Sequence, residues 1–176
     1  MELVQAAGDE YWEIASVFLC QTVERCNRNG LPLWTHSQVS ISALKSAYPS
    51  ESLYLLKTAD KFISCVFVSF ETDDFWSELD TSNSLFFHKF AIGDEHNGLG
   101  YGERALNALL ELAKDNDCIW LRCDCHGGRK RLRAFYEQFG FEFVDRQEMF
   151  GFDVARYQML TNCSSRFGTR GIFGLQ

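Results

Sequence analysis

Residues 85–112 read LFFHKFAIGDEHNGLGYGERALNALLEL and predict three consecutive features of the fold. The apolar run from Leu85 to Ile92 has the length of one buried strand. A polar turn follows, and glycines then alternate at positions 98, 100 and 102. Beyond them, apolar residues recur at helical spacing with polar residues on the opposite face: Leu106, Leu109, Leu110 and Ala113. The stretch is therefore predicted to be a strand, a glycine-rich turn and a helix.

The glycine-rich turn is suited to binding an anion. The start of a helix leaves backbone N–H groups without partners, and the helix macrodipole places partial positive charge there. Glycines also remove the Cβ atoms that would keep a phosphate away from those amides. A tight turn whose glycines only permit close packing would show the same local pattern, so this stretch alone leaves both interpretations open.

The spacing of the glycines disfavours the common nucleotide-binding loops. A Walker loop has Lys and then Ser or Thr directly after its last glycine, whereas Gly102 is followed by Glu103 and Arg104. A dinucleotide-binding fingerprint has the spacing G-x-G-x-x-G near the first strand, whereas these glycines alternate past the middle of the chain. A nucleotide-binding protein therefore remains only a third hypothesis.

The composition indicates a folded protein with one domain. The chain has 176 residues, of which 46% are apolar and 15% aromatic, which is enough for a core without disulfides or metals. We expect a single domain over residues 1–160. Residues 161–176 show no periodic pattern and are expected to form a tail that is loose or docks on a partner.

Charge and hydropathy limit the location and the partners of the protein. No apolar run approaches the ~20 residues of a membrane span, and the first residues, MELVQAAGDEYWEI, lack a basic region followed by an apolar stretch. We therefore expect a cytoplasmic protein with no membrane partner. The net charge of −7 argues against nucleic acid and mildly favours cationic partners such as amines.

The seven cysteines are an odd number and lie mostly inside apolar segments, as is typical of reduced core thiols. The run Cys123-Asp124-Cys125-His126 looks like a cluster of ligands. However, Cys123 and Cys125 would share one face of a strand, and the sequence offers no second Cys/His pair to complete a site. We therefore expect no metal site.

The order of the segments predicts an α/β fold. It reads β, α, α, β, β, β, α, β, α, β, β, which implies mixed strand directions. The central strand and the strand from Cys118 to Cys125 flank one helix, so they should pair in parallel through a right-handed crossover. The last helix carries apolar residues at helical spacing: Leu132, Phe135, Tyr136 and Phe139.

The glycine loop resembles the pyrophosphate-binding loop of the GNAT N-acetyltransferases, Arg/Gln-x-x-Gly-x-Gly/Ala. The matching residues are Asn97, Gly98, Leu99, Gly100, Tyr101 and Gly102, with Asn97 where Arg or Gln is usual. Residues 88–92 (HKFAI), 121–125 (LRCDC), 131–136 (RLRAFY) and 140–141 (GF) resemble further motifs of the family. Residues 30–34 (GLPLW) and 74–76 (DFW) resemble features of a bacterial branch that acts on small amines. Together these motifs cover roughly residues 1–160.

The resemblance implies a fold and a donor site. The expected fold is a mixed sheet of about six or seven strands, with a splayed parallel pair and about four flanking helices. Acetyl-CoA would enter between the splayed strands as the acyl donor. Backbone groups of Phe90 and Ile92 would bond its acyl-pantetheine arm, an amide near Phe90 would donate to the oxyanion, and the amides of Gly98 to Gly102 would hold the pyrophosphate. The resemblance also implies a homodimer.

The resemblance implies that Tyr136 is the general acid. A phenol with a pKa of about 10 can protonate a thiolate whose thiol has a pKa of about 8.5 as a nearly matched transfer. Periodicity alone favours the interpretation of Tyr136 as a core tyrosine, since it lies on the apolar face of its helix. Arg129 stands where the family often has Asn, so its cation either meets a CoA phosphate or is a solvated helix start.

The base and the acceptor are less defined. Candidate bases are Glu71, Asp73, Asp74, Glu78 and His88, and a chain of waters would also serve. Trp34 and the acidic, aromatic loop of residues 71–84, with Asp74, Phe75 and Trp76, are predicted to build the acceptor pocket, because loops that carry such residues are often functional. A polyamine, an aminoglycoside-like antibiotic, an amino acid and a protein N-terminus all remain open as acceptors.

We therefore expect an N-acetyltransferase that moves an acetyl group from acetyl-CoA to a primary amine of a small molecule by direct attack. The alternative is a module of the same fold that binds CoA without catalysis. The two hypotheses differ in whether Tyr136→Phe changes a measurable rate.

Overall fold

The computed structural model describes residues 1–31 and 33–162, and these form a seven-stranded mixed sheet with four α-helices. The strands are β1 (Glu2–Gln5), β2 (Leu53–Thr58), β3 (Lys61–Ser69), β4 (Ser84–Ile92), β5 (Trp120–His126), β6 (Glu142–Met149) and β7 (Phe152–Leu160). The helices are α1 (Asp9–Arg28), α2 (Ile41–Ala47), α3 (Tyr101–Asp115) and α4 (Lys130–Phe139). The tail was predicted over residues 161–176, and all of it from residue 163 onward lies outside the described residues.

The order of the strands in the sheet is β1-β2-β3-β4-β5-β7-β6. Neighbouring strands run antiparallel except β4 and β5, which are parallel and are joined through α3. A parallel pair requires such a crossover, because a tight turn can only reverse the chain. The predicted α/β fold, with its mixed sheet, parallel pair and four helices, is confirmed.

The parallel pair opens along its length. β4 and β5 pair over three positions, Ser84 with Trp120, Leu85 with Leu121, and Phe86 with Arg122. The pairing then ends, although β4 continues to Ile92 and β5 to His126. The two strands therefore separate towards their carboxyl ends and leave a gap in the middle of the sheet.

A β-bulge in β4 lies beside this gap. Phe67 of β3 pairs with His88, and Cys65 pairs with Ala91, so Lys89 and Phe90 together face the single residue Val66. Lys89 adopts a left-handed conformation with φ of 50°. A bulge bends its strand and takes backbone groups out of the regular ladder, so β4 turns its polar backbone towards the gap where β5 leaves it.

Apolar residues cover both faces of the sheet. On one face, α3 and α4 pack through Leu106, Leu109 and Phe139 against Leu85 and Phe87 of β4. On the other face, α1 and α2 pack against β2 and β3 through Trp12, Leu19, Val23, Leu44, Leu55 and Phe67. Helices on both faces hold the edges of the gap in place, so its shape is set by the core.

Candidate active site

A cavity of about 870 Å³ occupies the gap between β4 and β5. Its walls are the separated ends of these strands, the glycine loop with the start of α3, the inner face of α4, and loops that precede β2 and β4. One end of the cavity is formed by the glycine loop, and a second region is lined by acidic and aromatic side chains. We call these the loop end and the acceptor end.

The loop end is formed mainly by backbone. Gly98 and Gly100 both adopt left-handed conformations with φ of 78°, and Gly100 is the residue before the first turn of α3. A Cβ atom at either position would meet no atom of the described protein within 4 Å, so the space beside them is open. The first amides of α3 have no carbonyl of the preceding turn to bond, and glycine has no side chain to cap them.

Gly102 is constrained by packing as well. A Cβ atom at this position would lie 3.0 Å from Cζ of Phe135 on α4. Glycine therefore lets the start of α3 approach α4 closely, while the loop keeps open space on its other side. This cradle fits a pyrophosphate, because it combines unpaired amides, the positive end of a helix dipole and an open approach.

The predicted donor-site residues are brought together with one exception. Those that line the cavity are Phe90, Ile92, Asn97, Gly98, Gly100, Tyr101, Gly102 and Arg129. Leu99 does not line it, because its side chain is 62% exposed on the outer side of the turn. Only the backbone of Leu99 is therefore available to the cradle. Tyr101 is held by His96, whose ring centroid lies 5.7 Å away, and by the guanidinium of Arg104.

Tyr136 projects from the inner face of α4 into the wall of the cavity. Its ring lies among other aromatic rings, with centroids 6.1 Å from Phe87 and 5.5 Å from Phe141. Burial, with smaller contributions from Cys123 and Cys125, raises the pKa of the phenol well above its usual value. Tyr136 is therefore protonated throughout the physiological range, and it is a weaker acid than a free phenol.

Two carboxylates and a histidine meet at the acceptor end. Nε2 of His88 lies 3.4 Å from Oδ2 of Asp73, and both side chains line the cavity. Asp124 of β5 lies close to this pair. Burial raises the pKa of Asp124 to about 6, and the nearby charge of His88 opposes that rise. The cluster can hold an ammonium group and accept its proton.

Lys89, at the bulge, faces the same cluster. Its Nζ lies 4.4 Å from the ring centroid of Trp34, so its cation rests on the face of the indole. Burial lowers the pKa of Lys89 to about 8, and the neighbouring Asp124 partly offsets this. Trp34 thus lines the cavity as predicted, in contact with a lysine of the protein itself.

Asp74 and Trp76 do not face the acceptor end. Asp74 is exposed outside the cavity, and Trp76 is fully buried against Phe86, with ring centroids 5.8 Å apart. Their neighbours Asp73 and Phe75 line the cavity instead. Residues 74–76 form one turn of 3-10 helix that begins after Asp73, and of the four residues 73–76 only Asp73 and Phe75 line the cavity.

A buried arginine fixes that turn. Arg156 of β7 is 1% exposed, and its Nη1 donates a 2.6 Å hydrogen bond to the carbonyl of Phe75. Nε and Nη2 donate to the two carboxylate oxygens of Asp145, and Nη1 also pairs with Glu78. Glu78 was a candidate base, but its carboxylate is bound by Arg156, and Glu78 does not line the cavity.

Sequence reasoning gave no role to several residues of the acceptor end. Asp124 was noted only within a possible metal cluster and a family motif, although a carboxylate in a strand between cysteines is itself a signal of a buried charge. Tyr48 and Phe152 also line the cavity and carried no local signal. Glu71 and Asp74, two further candidate bases, are exposed and lie outside its lining.

The described residues also bear on two other features, a metal site and a membrane-spanning helix. Within residues 1–31 and 33–162, no group of three or more His, Cys, Asp or Glu side chains is placed to hold a metal ion. In the same part of the chain, none of the helices has the length and apolar character needed to cross a membrane.

Solved structures share this fold at low sequence identity, which shows the fold alone. A GNAT-family acetyltransferase from Listeria monocytogenes has a TM-score of 0.68 and 16% identity, over 89% of this chain and 94% of that one. A ribosomal-protein-alanine N-acetyltransferase from Brucella melitensis has a TM-score of 0.60 and 15% identity, over 91% and 99%. A mutant spermidine N-acetyltransferase from Vibrio cholerae has a TM-score of 0.61 and 17% identity, over 92% and 95%.

The sequence itself matches a family. No curated protein matches the chain significantly. The model of the acetyltransferase (GNAT) family matches residues 12–141, which include α1, the bulge, the glycine loop and Tyr136. The chain therefore belongs to the GNAT family of acetyltransferases, enzymes that take an acetyl group from acetyl-CoA and transfer it to an amine.

Proposed function

We propose that this chain transfers an acetyl group from acetyl-CoA to a primary amine of a small molecule by direct attack. The observation that carries the proposal is one continuous cavity between β4 and β5, with the glycine cradle at one end and the acidic cluster at the other. Acyl donor and amine would enter from different ends and meet beside the bulge. The proposal treats residues 1–160 as one catalytic domain.

The loop end would hold acetyl-CoA. The amides from Gly98 to Gly102 would bind the pyrophosphate, with Asn97 and Tyr101 beside it. Backbone groups of Phe90 and Ile92, in the part of β4 that has left β5, would bond the pantetheine arm. Arg129, just before α4, lines the cavity and adds a cation for a phosphate.

Two groups of the protein would act on the thioester. Bound acetyl-CoA supplies a thioester carbonyl and a thiolate leaving group whose thiol has a pKa of about 8.5. A backbone amide of the bulge, near Phe90, would donate a hydrogen bond to the oxygen on which negative charge develops. Tyr136, which is protonated, would donate its phenolic proton to the departing sulfur.

The acidic cluster would prepare the amine. An alkylammonium must lose a proton before its nitrogen can attack a carbonyl, and Asp73 and Asp124 would bind it as the cation. Asp124, whose pKa is about 6, is a better proton acceptor than an ordinary carboxylate. His88, in contact with Asp73, offers the proton an onward path towards solvent.

The direct test is calorimetric titration with acetyl-CoA, followed by thiol release against a panel of primary amines. Tyr136→Phe keeps the ring that packs on Phe87 and removes only the hydroxyl. We expect kcat to fall by about 100-fold or more, while the Kd for acetyl-CoA changes less than about twofold. Tyr11→Phe is the control, since Tyr11 packs on Phe62 and lies outside the cavity lining.

The possible results separate the hypotheses. Turnover of an amine with a large loss only in Tyr136→Phe supports the transferase and its acid. Turnover that is equal in both variants contradicts the role of Tyr136. Acetyl-CoA binding without turnover of any amine leaves a CoA-binding module, and absence of acetyl-CoA binding refutes the assignment of the loop end.

A further inference from the structure

One turn supplies both an anion and an aromatic ring to the acceptor end. The N–H of Phe75 donates a 2.6 Å hydrogen bond to Oδ1 of Asp73, while Oδ2 of the same carboxylate faces His88. Both side chains line the cavity. Because Arg156 holds the carbonyl of Phe75, the carboxylate and the ring keep a fixed separation. A ligand that uses both must carry its cation and its apolar part close together.

The aromatic part of this end continues to the mouth of the cavity. The ring of Phe75 meets Phe152 edge to face, with centroids 6.4 Å apart, and meets Phe150 in the same way at 5.4 Å. Phe150 and Phe152 flank Gly151 in the turn between β6 and β7, and both remain more than half exposed. Exposed aromatic edges beside a cavity are typical of a surface that a ligand covers.

The charges of the acceptor end suit a single cation. Asp73 and Asp124 carry two negative charges when ionised, and Lys89 carries one positive charge beside Asp124. These three side chains together have a net charge of −1. The other charged residues of the cavity include Arg25 and Asp153, which are paired with Asp94 and Arg146, and also Glu103 and Arg129. A second ammonium near the cluster would meet Lys89.

We propose that the acceptor is a monoamine whose amino group is attached by a short linker to a flat aromatic or similarly apolar body. Its ammonium would lie between Asp73 and Asp124, and its body would lie against Phe75 and Phe152. A polyamine fits this end less well, since Lys89 would repel a second ammonium near the cluster, and Asp153, a further carboxylate of the cavity, is already paired with Arg146. This inference rests on the proposed function and narrows its acceptor.

The test compares three amines at saturating acetyl-CoA: 2-phenylethylamine, n-propylamine and 1,4-diaminobutane. We expect kcat/KM for 2-phenylethylamine to exceed the other two by about tenfold, in line with the burial of an aromatic ring. Phe75→Leu should lower kcat/KM for 2-phenylethylamine by about fivefold through KM, with less than a twofold change for n-propylamine. Phe152→Leu should act in the same direction.

Phe70→Leu is the matched control, because Phe70 is an exposed phenylalanine outside the cavity lining. It should leave all three amines unchanged. A thermal melt of each variant establishes that it is folded. A preference for 1,4-diaminobutane, or equal losses for both monoamines in Phe75→Leu, would overturn the inference while the transferase stands. Failure of every amine to release thiol, despite acetyl-CoA binding, would overturn the transferase and the inference together.

Discussion

The two ends of the cavity are built by different parts of the chain. The loop end comes from one contiguous stretch, residues 97–102, and presents mainly backbone amides. The acceptor end comes from side chains that are far apart in sequence: Trp34, Tyr48, Asp73, Phe75, His88, Lys89, Asp124 and Phe152. A backbone cradle depends on few side chains, whereas a side-chain cluster depends on every element that positions it. Substitutions should therefore affect the two ends in different ways.

The largest effect is expected at Arg156, which supports the acceptor end alone. Arg156→Met removes the guanidinium that holds the carbonyl of Phe75 and the carboxylates of Asp145 and Glu78. Asp145 and Glu78 are more than a third exposed, so the cost is the loss of the hydrogen bonds that the guanidinium makes, about 3 kcal/mol together, which denaturant unfolding measures. Because the turn that bears Phe75 would loosen, KM for the amine should rise about tenfold, while the Kd for acetyl-CoA stays constant.

Arg146→Met is the matched control for that experiment. Arg146 also holds an aspartate, Asp153, through two hydrogen bonds of 2.7 Å, but its side chain is about half exposed. An exposed pair contributes little to stability, so this variant should be nearly as stable as the wild type. Equal losses of acetyl-CoA and amine binding in Arg156→Met would show that the two ends are not separable.

The loop end and the order of the fold were accessible from the sequence because their signals are local. The strand, the glycine turn and the helix of residues 85–115 each follow from a short pattern, and their succession requires the parallel pair. The alternating glycines likewise mark the cradle, since no other residue fits its left-handed positions as easily.

The acceptor end was not accessible, because tertiary contacts decide which side chains reach it. From the sequence alone, four neighbouring residues are equally plausible contacts for the acceptor: Asp73, Asp74, Phe75 and Trp76. The 3-10 turn places Asp73 and Phe75 in the cavity, and its orientation is set by Arg156, about eighty residues away along the chain. The sequence names the loop and its candidate residues, but it does not show which of them face the cavity. Of the residues proposed from the sequence for the acceptor or the base, Trp34, Asp73, Phe75 and His88 line the cavity.

A smaller effect is expected from the charge on Asp124. Burial raises the pKa of this carboxyl from 3.8 to about 6 in the folded chain. Between these values the folded state binds more protons than the unfolded state, so this group makes stability fall as pH rises from about 4 to about 6. Asp124→Asn removes the titration. It should match the wild type near pH 4 and exceed it by about 3 kcal/mol above pH 7, as measured by urea unfolding.

Asp153 provides a control of opposite sign. The guanidinium of Arg146 lowers the pKa of Asp153, so the stability that this group contributes is lost on acidification. Asp153→Asn should therefore reduce stability at neutral pH and not at low pH. If Asp124→Asn instead loses stability at neutral pH, the carboxylate is held by favourable contacts, and the cluster is structural. A gain in stability with loss of turnover would mark Asp124 as a group kept for function.

The smallest effect compares one glycine from each end. Gly100, in the glycine loop, and Gly151, at the acceptor mouth, have φ of 78° and 80°, and a Cβ atom at either would meet no described atom within 4 Å. Alanine at each should therefore cost a similar strain of about 1 kcal/mol. Only at Gly100 would the new methyl group occupy the space beside the pyrophosphate. Gly100→Ala should weaken acetyl-CoA binding about tenfold, or about 1.4 kcal/mol, and Gly151→Ala less than about twofold, by calorimetric titration. Equal changes in Kd would mean that backbone strain alone, and not an open cradle, requires these glycines.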